Sequence, residues 1–103
     1  MRLVRVSAEA EADLLAILEY VSRDSNDAAL RLIDRLTESA TDLGTTALEH
    51  SLIPRHEETG LRRRIVGRYA IIYAIDRDNV DILHIVHGAR NFAALLVKPV
   101  DEA

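Results

Sequence analysis

The sequence predicts an α+β fold of order β-α-α-β-β-β with a short C-terminal helical tail. Three observations lead there. Two long segments in the first half carry apolar residues at helical spacing. Three strand-like runs then follow one another with only turn residues between them. A short β-rich run precedes both helices. Strands gathered together after a helix pair indicate an antiparallel meander with the helices packed on one face.

The first run is Arg2-Leu3-Val4-Arg5-Val6, roughly alternating and rich in β-branched residues. Ser7 has the character of an N-cap, and Glu9 and Glu11 fall in the first turn, where acids suit the helix dipole. Leu14, Ile17, Leu18 and Val21 then recur at i, i+3, i+4 and i+7, which predicts a helix from Ala8 to about Ser22. Arg23-Asp24-Ser25-Asn26 interrupts that pattern. A second helix is expected from about Asp27 to Leu43, its stripe formed by Ala29, Leu32, Ile33, Leu36, Ala40 and Leu43, with Gly44 as a left-handed C-terminal cap. So short a link between helices makes them an antiparallel hairpin.

Thr45 to Gly60 shows no period and contains Pro54. It is read as a long connection with a short strand around Leu52-Ile53. The meander comes next, with strands at about Leu61 to Val66, Arg68 to Ile75 and Val80 to His87, separated by turn chemistry at Gly67 and at Asp76-Arg77-Asp78-Asn79. The first strand is expected to join the sheet at one edge. On the central strand Tyr69, Ile71, Tyr73 and Ile75 point one way and Ala70, Ile72 and Ala74 the other. Both faces are apolar, and one helix pair covers only one of them. The other is expected to be an open apolar surface that needs a partner. Arg90 to Val97 reads as the helical tail, stopped by Pro99.

At 103 residues the chain is read as one domain spanning 1–103, with a small core. With no Trp and a single Phe, that core must be aliphatic. No Cys is present, which removes disulfides and thiolate metal sites and suits a reducing cytoplasm. Neither a signal peptide nor a membrane span is recognisable. The net charge of −4 opposes general nucleic-acid binding, which needs cations to replace phosphate counterions. Protein partners are therefore favoured over direct, sequence-specific contact with nucleic acid.

Positive charge is nevertheless concentrated in one place. Arg62, Arg63, Arg64 and Arg68 lie on or beside the first meander strand, and His87 and Arg90 lie at the exit of the last. Strand alternation sends Arg62 and Arg64 to one face and Arg63 to the other. Arginine grips carboxylates with two bonds, so this cluster suits an acidic protein segment. Solvated edge charge, paired with acids such as Glu57 or Glu58, is the plain alternative. His84 and His87 are three apart on a strand and do not form a metal site. His50 and His56 have no ligand spacing, so no metal and no cofactor are expected. The scattered glycines make no phosphate loop. Tyr20, Tyr69 and Tyr73 read as core or half-buried rings rather than base-stacking ones.

Taken in order, Ala12-Asp13-Leu14 with Ile17 and Tyr20-Val21, then Ala29, Ile33 and Leu36, then Leu43, Pro54 and Gly60, then Gly67-Arg68-Tyr69 with Ile72-Tyr73, and finally His84-Ile85-Val86-His87-Gly88-Ala89-Arg90 resemble the RelE/ParE superfamily of bacterial toxins. The resemblance spans about Leu3 to Phe92. The Val-Gly-Arg-Tyr entry and His-Gly-Ala-Arg exit are closer to the ParE branch. It implies the toxin of a type II toxin-antitoxin pair, neutralised by a ParD-like antitoxin in a hetero-oligomer. ParE-type members inhibit DNA gyrase by binding. RelE-type members cut messenger RNA on the ribosome.

Cutting RNA needs a group to activate the 2′-hydroxyl, another to protonate the leaving oxygen, and cations on the phosphate. RelE-like nucleases typically carry an arginine directly after the entry of the central strand. Here that position is Ala70. They also use a tyrosine near the C-terminus, where this chain's last aromatic is Phe92, and a lysine-rich face, where Lys98 is the only lysine. A degenerate nuclease would have to work with His87 as acid or base and with Arg64, Arg68 and Arg90 on the phosphate. The expected contact residues of a binding toxin are Arg62, Arg63, Arg64, Arg68, His87, Arg90 and Phe92.

Overall fold

The computed structural model describes residues 1–88 of the chain. Its elements are β1 (Leu3–Val6), α1 (Ala8–Ser22), α2 (Asn26–Thr46), two 3-10 turns (Ala47–Glu49 and Glu57–Thr59), β2 (Arg62–Val66), β3 (Tyr69–Asp76) and β4 (Asn79–His87). The predicted order stands. The expected tail from Arg90 to Val97 lies outside the described residues, as do Arg90 and Phe92 themselves.

Both helices begin on serine caps. The Ser7 side chain accepts from the Ala10 amide at 3.0 Å and Ser25 from the Ala28 amide at 3.1 Å, satisfying amides that the first turn leaves over. The end of α2 departs from expectation. The helix runs through Gly44 to Thr46, so Gly44 is not a left-handed cap. Its reason is proximity: a Cβ there would stand 2.8 Å from the Arg2 carbonyl oxygen, and the Arg2 amide donates to the Gly44 carbonyl at 2.8 Å. Glycine lets the chain ahead of β1 lie directly on the helix backbone.

The sheet order is β1-β4-β3-β2. The meander is antiparallel, and β1 joins at the edge, parallel to β4, with Leu3 opposite Asn79 and Val6 opposite Ile82. Gly67, at φ 60°, opens the two-residue β2–β3 loop, where a positive first angle matches strand twist. In the β3–β4 loop the same left-handed region is occupied by Arg77 at φ 59°.

Along β4 the register shifts. Ile72 faces His84 but Tyr73 faces Ile82, so Leu83 is an extra residue, a β-bulge. The main core therefore takes Val80, Ile82 and Ile85 from one strand, at spacings of two and then three. These residues, with Ile71 and Tyr73, pack under Ala10, Leu36, Ala40, Leu43 and Ala47 of the helical layer. The Tyr73 hydroxyl donates to the Ala47 carbonyl at 2.6 Å, and burial raises its pKa.

The opposite face is not the open apolar surface that alternation alone suggests. Ile53, Ala70 and Ile72 form a second buried cluster, with Leu61 and Val86 packed against it. The connection reaches it by running along the outer edge of β2. Leu52 bridges Arg62, the Ile53 amide donates to the Leu61 carbonyl at 3.0 Å, and the Arg63 amide donates to the Ser51 carbonyl at 3.1 Å. The short strand expected near Leu52-Ile53 is thus a single bridge. Ile65, further along β2, stays 57% exposed.

Candidate functional site

The strand arginines divide by face as alternation predicts, and the two on the helix side are engaged inside the fold. Arg62 donates through Nη1 to the His50 carbonyl at 2.5 Å. Arg64 donates through Nη1 to the Ser39 carbonyl and to the Asp42 carboxylate, each at 2.9 Å. These two side chains tie β2 to α2 and to the connection behind it. His50, caught in that corner, has its pKa lowered, first by burial and then by the nearby Arg64 charge. Arg63 lies on the face of Ile72, its register partner, and has contacts of its own.

Arg68 is placed differently. It is exposed in the β2–β3 loop, and its carbonyl accepts from the Gly88 amide at 2.5 Å. That bond brings the loop and the exit of β4 to one end of the sheet. Arg35 of α2 approaches the same loop, with Nη1 3.6 Å from where a Cβ on Gly67 would be. Arg68 and His87 are therefore neighbours in the fold, whereas Arg62 and Arg64 belong to a structural corner.

His87 stands edge-on to Tyr69, with ring centroids 5.2 Å apart and planes at 88°. Together with Ala16, Ile17 and Tyr20 of α1 these rings line a groove of about 440 Å³. Tyr20 is 68% exposed, and the Arg23 guanidinium lies 5.8 Å from its ring centroid. The groove has aromatic and aliphatic walls, and arginines 23, 35 and 68 lie near its rings and its end of the sheet. Such a surface accepts apolar side chains flanked by carboxylates. Sequence reading marked His87 and Arg68 but read Tyr20 as a packing residue and did not join it to Tyr69. The signal was the i, i+3, i+4, i+7 series Asp13, Ala16, Ile17 and Tyr20 on α1.

Among the described residues no group of three His, Asp or Glu side chains stands close enough to hold a metal ion. His84 instead brings Nδ1 within 3.2 Å of the Asp13 carboxylate.

The family model for the ParE toxin of the type II toxin-antitoxin system parDE matches residues 4–92. The chain belongs to the ParE toxin family. Two solved structures are similar to this ParE-family toxin. The chromosomal ParDE system from P. aeruginosa superposes with a TM-score of 0.71 at 22% identity, covering 85% of this chain and 97% of that one. The toxin-antitoxin complex RelBE2 from Mycobacterium tuberculosis gives a TM-score of 0.64 at 26% identity, over 84% of this chain and 96% of that one. No curated protein sequence matches. No helix among the described residues is long and apolar enough to cross a membrane.

At the position where RelE-like nucleases carry an arginine, this ParE-family chain has Ala70, 0% exposed and packed with Ile53 and Ile72. The connection, through Ile53, covers this position. Arg68 and His87, both able to donate to an anion, lie at the end of the sheet.

Proposed function

We propose that this toxin acts by binding rather than by catalysis, with DNA gyrase as its target and a ParD-like antitoxin as the cytoplasmic partner that neutralises it. The observation that carries the reading is Ala70. A buried methyl group in a closed aliphatic cluster neither holds a scissile phosphate nor stabilises charge on it. Arg62 and Arg64 are held by carbonyls and a carboxylate of the fold, which leaves Arg68, His87 and the segment through Arg90 and Phe92 as the contact surface. Both similar structures come from toxin-antitoxin systems, which supports an antitoxin partner here.

A second reading, a RelE-like ribosome-dependent endoribonuclease, draws on the RelBE2 neighbour and on the meeting of His87 with Arg68 at one sheet end. Inducing the chain in bacteria without an antitoxin separates the two. Gyrase inhibition predicts DNA damage and filamentation with messages intact. Cut messages and rapid loss of translation, abolished by His87→Ala, would replace the binding reading with the nuclease. Arg68→Glu, at an exposed loop position, is expected to weaken growth arrest without changing thermal stability. Unchanged arrest would remove Arg68 from the contact surface.

A further inference from the structure

We infer that Asp13 is a positioning residue for recognition: it holds the outer edge of β4 so that His87 stays against Tyr69 in the α1 groove. The inference rests on the proposed role of the His87 end in partner binding. It starts from an anomaly in the helix. Asp13 shares a stripe of α1 with Ala16, Ile17 and Tyr20, the three helical residues of the groove wall. An acid there is a poor helix former and is partly withdrawn from water, its side chain 30% exposed.

The reason lies in the sheet. β1 pairs with β4 only as far as Val6 opposite Ile82. The chain then leaves the sheet to begin α1. The remaining outer edge of β4, from the bulge to His87, has no neighbouring strand among the described residues. Side chains of α1 and its cap take that strand's place. The Ser7 amide donates to the Ile82 carbonyl at 3.0 Å, and its hydroxyl donates to the Leu83 carbonyl at 3.0 Å. Asp13 Oδ2 accepts from the Ile85 amide at 2.9 Å and lies 3.2 Å from His84 Nδ1.

Those contacts sit on the extra residue and on either side of it. A bulge leaves ladder groups unpaired and weakens the hold on the strand beyond it. Beyond this bulge come Ile85, in the core, and His87, in the groove. Val80 and Ile82 set one alternation, and only the bulge lets Ile85 and His87 share their face. Asp13 fixes the strand just past that shift. It also stands one helical turn from Ala16 and Ile17, so it ties the helical wall of the groove to the strand that carries His87.

The test compares Asp13→Asn with Asp13→Ala. Asparagine keeps an acceptor for the Ile85 amide, and alanine does not. In Asp13→Ala the Ile85 amide should exchange roughly tenfold faster, the value of one hydrogen bond. The Tyr69–His87 ring contact should disappear from NMR spectra, and induced growth arrest should be lost while circular dichroism remains that of the wild type. Asp13→Asn should retain the ring contact and the arrest. If alanine at 13 fails to fold, Asp13→Ser, too short to reach the amide, carries the same comparison. An alanine or serine variant that keeps the ring contact overturns the inference, as does an asparagine variant that loses it. If the wild type itself arrests nothing, the proposed function fails, while the exchange and ring-contact measurements still decide the role of Asp13.

Discussion

The two faces of this sheet are closed by different means. On one, a helix hairpin lays Leu36, Ala40 and Leu43 over Ile71, Tyr73, Val80, Ile82 and Ile85. On the other, an irregular connection brings a single isoleucine, Ile53, onto Ala70 and Ile72. The difference teaches that an apolar sheet face does not by itself imply a missing partner. A small residue at the centre lets a loop close it, provided the loop's own backbone groups are satisfied. Here they are satisfied by the free edge of β2.

The most disruptive way to challenge that contrast is to restore a long cation at the centre of the thin face. Ala70→Arg should destabilise the fold by about 3–5 kcal/mol in denaturant unfolding, because it buries a charge with no partner. It should not confer RNA cleavage. A near-neutral result would mean that Ile53 lifts away easily and that the face is open in solution.

Truncation compares the faces directly. Leu36→Ala is expected to cost about 3–5 kcal/mol, and Ile53→Ala roughly 2 kcal/mol, because a loop collapses into a cavity more readily than a helix does. Thermal unfolding of the pair measures the difference, and equal losses would erase the distinction between the layers.

Tyr73 sharpens it further, since its hydroxyl joins the thick face to the start of the connection. Tyr73→Phe should cost about 1–2 kcal/mol by leaving the Ala47 carbonyl unpaired. Burial raises the phenol's pKa in the fold, so the unfolded chain ionises first. The wild type should therefore lose stability as pH rises beyond about 10, whereas Tyr73→Phe should lack this tyrosine's share of the loss.

Arg77→Gly tests the β3–β4 loop, outside both clusters. A side chain in the left-handed region is strained, so the glycine variant should gain up to about 1 kcal/mol in the same unfolding assay. The smallest effect is a slope. His50 has its pKa lowered by burial, so stability is fully present above about pH 6.5 and falls as the pH drops through the folded-state value. His50→Gln should flatten that slope, and an unchanged slope would place the titrating group elsewhere.

Much of this architecture was legible in the chain. Ser7 marked the start of α1, and the stripe through Leu36 and Leu43 marked the packing face of α2. Gly67 marked a hairpin, and Ala70 marked the position where a RelE-like nuclease would have carried arginine. Gly44 misled, because a glycine past a periodic stripe looks the same whether it ends a helix or admits a neighbouring backbone. The arginines of β2 were assigned to the right faces, and their internal partners were not foreseen. Alternation says where Arg62 and Arg64 point, but not that carbonyls of His50 and Ser39 wait there.

The sequence by itself determined the elements, their order and the apolar character of both sheet faces, because periodicity and capping act over a few neighbouring residues. Only the tertiary structure decided that Ile53 closes the second face, that Leu83 is an extra residue, and that Asp13 meets Ile85, 72 positions away. Those outcomes depend on which unpaired backbone groups the assembled sheet leaves at its edges, and on which distant side chains arrive there to satisfy them.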